Sequence, residues 1–288
     1  MSARPPHNRA MSSEFTPAAE VRRGIARKVV MHLAGPTGPA ASLLTGSAAR
    51  GTSDEHSDID LINYYDELPD PADFRDRLGK AGAALEGVIS ERRPEGFTDS
   101  YRIGGIQLQT GASTVADMDE RIAKIRAGDV DWISAKVAAG LLEGMALGGE
   151  RRIESWQSAV RVYSPILRRR EIERNIGIFP VWALDEHLAA RDAELFRRQV
   201  ALDGAFRVVA VLSAVNELYF STFQFKEMRA HIERMRIAPH NLADRLERVA
   251  SGPLSAAAEE LRTLVEETKA IVRRNAPDID VDVPWRPL

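Results

Sequence analysis

Up to about residue 130, short aliphatic and β-branched runs alternate with stretches of helical period, and Gly/Pro turns separate them. Thr16 and Pro17 read as an N-cap and a first-turn proline, because a hydroxyl can accept an unpaired backbone N–H and proline has none to lose. The helix they open runs to about Leu33, with Ile25, Val29, Val30 and Leu33 on one face, and Gly35-Pro36-Thr37-Gly38-Pro39 ends it. Residues 41–45 form a short apolar strand that stops at Gly46-Ser47, and residues 59–64 form a second. Pro71 opens a helix to about residue 85, and a third strand covers 87–92. Gly104-Gly105 between residues 100–103 and 106–110 predicts a tight hairpin, since both central positions must accept positive φ. Ser113-Thr114 caps a helix to about residue 127, with Asp117 completing the cap.

Beyond Val130 the period is helical almost throughout, over residues 132–147, 150–162, 165–199, 200–229, 241–249 and 254–273. Leu195, Gln199, Leu202, Phe206, Val209, Leu212, Val215 and Leu218 step by three or four, as in a bundle helix. The expected fold class is therefore an α/β (α+β) domain with a mixed sheet of about five strands over 16–130, followed by an all-α helical-bundle domain over 131–275. Residues 1–15 read as a loose tail and 276–288, with three prolines, as an extended one.

Composition narrows the function classes. A chain of 288 residues, 44% hydrophobic, is long enough for two cores. With no cysteine, disulfides, thiolate zinc sites and thiol nucleophiles are excluded. A net charge of -3 removes the long-range attraction on which general nucleic-acid binding depends. The apolar runs, such as 208–215, fall short of the roughly 20 residues that span a bilayer, and the first fifteen residues match no export signal, so the expected location is cytoplasmic. The six histidines are scattered without ligand spacing, and no phosphate-loop, dinucleotide or serine-elbow motif is present.

One segment, residues 45–61, concentrates chemistry. Gly46 lets the backbone turn sharply, Ser47 offers a hydroxyl, and the residues after them can begin a short helix whose N–H groups face an anion. Asp58 and Asp60 lie two apart on a strand, so both carboxylates leave one face and can chelate a hard cation, while Ile59 points to the core. Gly46-Ser47, Arg50-Gly51 and Ser57-Asp58-Ile59-Asp60 together resemble the signature of the DNA polymerase beta-like nucleotidyltransferases, particularly the small forms that modify antibiotics or proteins. In the second domain, Ala190-Arg191-Asp192 and residues 211–220 followed by Lys226 resemble the helical partner domain of a poorly characterised branch of that superfamily.

The resemblance implies a nucleoside triphosphate (NTP) at the Gly-Ser turn, two Mg²⁺ ions on Asp58 and Asp60, and attack of a hydroxyl on the α-phosphorus with pyrophosphate leaving. Gly46, Ser47, Arg50, Ser57 and Lys226 would bind the nucleotide. The acceptor would be an aminoglycoside-like small molecule or a protein, held in the cleft between the domains. Glu143, Asp185, Glu186, Asp192 and Glu217 are candidates for an acidic wall. The family's third acid is missing, because the strand that should carry it reads Ile106-Gln107-Leu108-Gln109-Thr110. Gln107 and Gln109 share one face and can ligate through amide oxygens without charge; Glu91, Asp99 and Asp192 are candidate substitutes. The alternative reading is a catalytically impaired nucleotide-binding regulator of the same fold.

Overall fold

The computed structural model describes residues 15–178, 191–223 and 225–285. Alternation along the strands sets the architecture. In β2 (Ile59–Tyr65), Ile59 and Leu61 are buried and Asp60 and Ile62 are half-buried. β2 pairs antiparallel with β1 (Ala41–Thr45) and parallel with β5 (Ile106–Thr114), so the sheet is mixed, as expected. With β3 (Ala84–Arg93), β4 (Gly96–Ile103) and β6 (Met145–Gly148), the order is β3-β4-β5-β2-β1-β6.

Helix α1 (Pro17–Leu33) begins at the expected cap, with Ala19 N donating to Thr16 Oγ1 at 3.1 Å. A five-residue helix, α2 (Gly46–Arg50), follows β1 directly. α3 (Pro71–Lys80) is five residues shorter at its end than the sequence suggested; Gly82, at φ +89°, turns the chain into β3 instead. α1 and α3 cover one face of the sheet, where Ala26, Val29 and Leu33 meet Leu44, Ile59, Leu61, Phe74 and Leu108. The Gly104-Gly105 hairpin forms with both glycines at positive φ and Ile103 opposite Ile106. α4 (Val115–Arg126) starts with Asp117 N donating to Thr114 Oγ1 at 3.1 Å.

The main departure lies between 132 and 161. Helical period predicts one helix to residue 147, but α5 (Trp132–Glu143) stops at Gly144, and the next residues add β6 to the sheet beside β1. Glycine sets this break. Gly149 sits at φ +66°, and a Cβ there would lie 2.2 Å from Ala40 O. Gln157, on α6 (Glu150–Arg161), donates to the terminal carbonyls Leu141 O and Gly144 O at 2.9 and 3.2 Å. On the same helix, Trp156 packs edge-on against Tyr64 and donates to Asp119 Oδ1 at 2.6 Å. The chain therefore divides as Met1–Ile122 with Gly140–Ala159, and Ala123–Ala139 with Val160–Leu288, rather than once near residue 130.

The helical unit contains α7 (Pro165–Asn175), α8 (Glu194–Val215), α9 (Met228–Glu233), α10 (Leu242–Ser251) and α11 (Leu254–Asn275). The single helix expected over 165–199 ends at Asn175, and its positions 179–190 fall outside the described residues. The one expected to reach 229 stops at Val215. Asn216 closes it, with Nδ2 donating to Leu212 O and Ile237 O while Oδ1 accepts from Ile237 N. The forecast apolar stripe holds only in its second half: Val209, Leu212 and Val215 are buried, while Leu195 is 85% exposed. In the first half, Val200, Ala201, Gly204 and Val208 face the core instead, with Leu261 of α11 seated against Gly204. The C-terminal segment turns after α11, with Ile279 N donating to Ala276 O at 3.1 Å, and is anchored, because Ile279 and Val281 are buried and Asp282 pairs with Arg273 and Lys269.

Gly149→Ala forces a Cβ onto the backbone of β1's leading edge and a left-handed φ. Urea unfolding should show a loss of about 1–3 kcal/mol or more; an unchanged midpoint would contradict the placement of β6.

Candidate functional site

Gly46 is the first residue of α2 and its φ is +68°, which favours glycine. A Cβ at this position would lie 2.8 Å from Asp60 Oδ2. Thr45 and Asp60 are register partners, so the Asp60 carboxylate rests against the start of α2, where backbone N–H groups lack helical partners. Ile59 is fully buried, and Asp58 and Asp60 on either side of it are half-buried. The turn thus meets Asp60, whereas Asp58 lies one residue ahead of β2 rather than on the strand.

Gln109 is the register partner of Asp60 across β5, and Ser100 of β4 is the partner of Gln109, giving a polar row over three strands. Gln107 Nε2 donates to Ser100 Oγ at 3.4 Å. Asp99 is not a substitute ligand. It pairs with Thr110, so it leaves the opposite face, where Arg92 and Arg75 hold it at 2.8 and 3.2 Å and it is 1% exposed. Glu91 is exposed and pairs with Arg93. Among the described residues, no group of three or more His, Asp or Glu side chains could hold a metal ion.

The remaining expected contacts divide. Ser47 Oγ lies 3.1 Å from Ser53 Oγ at the turn. Ser57 Oγ is engaged by Asp54, accepting from Asp54 N at 3.0 Å and donating to Oδ1 at 2.8 Å, a bond that holds the Asp54 carboxyl below the usual range. Arg50 Nη1 donates to Glu143 Oε2 at 3.1 Å, so it serves an ion pair at the end of α2, and Glu143 is accordingly not an open acidic wall. Lys226 and Asp192 are exposed residues of the helical unit. Asp185 and Glu186 fall outside the described residues. The Arg168-Arg169-Arg170 run is spent on Asn275 O, Asp278, Glu173, Gly128 O and Asp129.

Two residues that motif reading passes over fix this geometry. Arg22 and Arg23 of α1 are 3% and 1% exposed. Arg22 donates from Nε to Ser57 O at 2.8 Å and from Nη2 to Glu55 O at 3.2 Å, holding the loop that leads into Asp58. Arg23 donates to Ala48 O and Ala49 O at 2.8 and 2.5 Å, placing a cation at the carbonyl end of α2. Phe15 covers it, with the guanidinium carbon 3.4 Å from the ring centroid. Burial pulls the Arg23 pKa down from its ordinary value. The signal in the sequence is a pair of cations at positions where the Ala19, Ala26, Val29, Leu33 stripe calls for apolar side chains.

No family model matches the chain, and no curated protein matches it. Among solved structures it is similar to a nucleotidyltransferase-like protein from Exiguobacterium sibiricum 255-15, with 12% identity and a TM-score of 0.33 over 93% of this chain and 81% of that one. Values this low carry no activity across.

Arg23→Met keeps the volume but leaves two carbonyls of α2 without their donor. A stability loss of about 2–4 kcal/mol is expected in chemical denaturation, with amide exchange accelerated most over residues 46–50. An unchanged midpoint and unchanged exchange would remove the clamp from the account.

Proposed function

We propose that the sheet unit is a nucleotidyltransferase that uses a Mg²⁺-bound NTP, ATP in the first instance, and transfers its nucleoside monophosphate to a hydroxyl. The observation that carries the reading is the Asp60 carboxylate lodged 2.8 Å from where a Gly46 Cβ would stand, with Asp58 half-buried just ahead of β2. The donor types suit a hard cation: the Asp58 and Asp60 carboxylates, and Gln109, whose amide oxygen is neutral, as the register partner of Asp60. Ser47 and the first N–H groups of α2 would hold phosphate oxygens. Asp58 and Asp60 would hold the magnesium, two ions in the full form of the reading. The ion would supply charge to the leaving pyrophosphate and acidify the acceptor hydroxyl.

In the transfer, the acceptor oxygen forms a bond to the α-phosphorus as the bond to the bridging oxygen of pyrophosphate breaks. The acceptor proton leaves to water or a side chain, and Gln109, being an amide, cannot take it. An aminoglycoside-like small molecule or a protein side chain are the acceptor classes of this reading. The expected cytoplasmic location belongs to the same proposal; among the described residues no helix is long and apolar enough to cross a membrane.

A second reading is favoured by one specific observation, the glutamine beside Asp60 where a third carboxylate would complete the set. On that reading the unit binds nucleotide and magnesium without transfer, as a regulator. Calorimetry with ATP and Mg²⁺, run beside a pyrophosphate-release assay with candidate hydroxyl acceptors, separates the two. Transfer predicts tight binding plus release, both lost in Asp58→Asn and Asp60→Asn with the circular dichroism unchanged. Binding without release supports the regulator. Neither binding nor release, in a folded protein, sinks both.

A further inference from the structure

A second chemistry-bearing place lies wholly within the helical unit. A cavity of about 90 Å³ opens beside α7, far above the ~10–15 Å³ that one water needs. Trp132, Tyr163, Tyr219 and Phe220 give it aromatic walls, and Glu171 gives it an acid. The walls are fixed: the Tyr163 and Tyr219 rings pack 4.9 Å apart, and the Tyr219 hydroxyl donates to Val160 O at 3.0 Å.

Glu171 is poorly compensated for such a setting. Asn175 Nδ2 reaches its Oε2 at 3.4 Å and its backbone O at 2.9 Å, and among the described residues no lysine or arginine forms an ion pair with it. Burial raises its pKa, although Arg174 and Arg170 on the same helix act to lower it. The other charges around the cavity do not reverse its sign. Asp131 and Arg174 line it, Glu217 acts on Tyr163 from the turn after α8, and Arg168 opposes Glu217 there.

A carboxylate among aromatic faces selects its ligand by charge. An anion would meet both the carboxylate and the negative ring faces, and a neutral apolar group would bury the acid without a partner. A cation gains from both. At the rim the protein makes this contact with its own side chain: Trp132 packs against Phe223 at 4.8 Å, and Lys136 Nζ lies 4.6 Å from the Phe223 ring centroid.

We propose that this cavity binds a small organic ammonium ion, seated between the Glu171 carboxylate and the walls formed by Trp132, Tyr163 and Tyr219. The site is independent of the nucleotide reading and would stand if that reading fell. The test titrates the full chain with tert-butylammonium and with tert-butanol, which share shape and differ in charge, and follows saturable one-to-one binding by calorimetry. The expected result is binding of the ammonium at least about tenfold tighter than the alcohol, and a loss of about tenfold in Glu171→Gln. Equal affinity for the two probes in the wild-type protein overturns the proposal without any variant, as does a total lack of ammonium binding. Should Glu171→Gln not fold, Trp132→Leu at the half-exposed wall is expected to weaken ammonium binding about two- to fivefold and to leave the alcohol unchanged; retention of full ammonium affinity there counts against the site.

Discussion

The geometry of the turn-and-acid motif depends on one pair of guanidinium groups buried beneath α1. An arginine inside a core is costly unless its donors are met, and here carbonyl oxygens meet them: Ala48 O and Ala49 O for Arg23, Ser57 O, Glu55 O and Ala18 O for Arg22. Because a guanidinium presents its donors in a rigid fork, each arginine fixes the orientation of the peptide groups it binds. A five-residue helix has too few internal bonds to be stable alone, so the clamp at its far end sets where Gly46 begins and therefore what rests against it. Arginine side chains from a neighbouring helix thus hold the main chain at both ends of the motif, beside the Ser47–Ser53 and Asp54–Ser57 contacts within it.

How much of this was legible follows from which forces act locally. The α1 cap at Thr16 and the Gly104-Gly105 hairpin were both readable, because each is decided by a few adjacent residues and one backbone conformation. β6 was not, since Met145-Ala146-Leu147 suits a helix as well as a strand, and only the glycines around it and an open edge beside β1 decide the matter. The α8 stripe misled for a related reason. Leu195, Leu202 and Phe206 have the right spacing, yet the face that packs is the one where Gly204 lets α11 come close. Arg22 and Arg23 were hidden because a cation on a helix is ordinarily read as solvated, and their partners lie 25 to 35 residues away.

Strand parity also places two acids of the sheet in different surroundings. Asp99 and Asp60 sit in the same sheet, but one residue of register puts them on opposite faces. On the α1 and α3 face Asp99 is closed off from water and charge-balanced by Arg75 and Arg92, so it stabilises the sheet and has no capacity for a ligand. On the other face Asp60 is half-buried, with Gln109 as its register partner.

On the proposed reading, replacing the third carboxylate by Gln109 changes how a metal would be held, not only how a proton would leave. Two carboxylates and a neutral amide give an ion fewer charged ligands than three carboxylates would, so the free ion is held weakly. The triphosphate brings its own oxygens and negative charge, and a magnesium ion shared between it and Asp58 and Asp60 gains what the protein alone does not offer. Metal and nucleotide affinity are then coupled, each raising the other by the same factor as linkage requires. A site built in this way would rest with little bound cation and assemble when the nucleotide arrives, and placing Asp60 at the Gly46 turn beforehand would lower the entropic cost of that assembly.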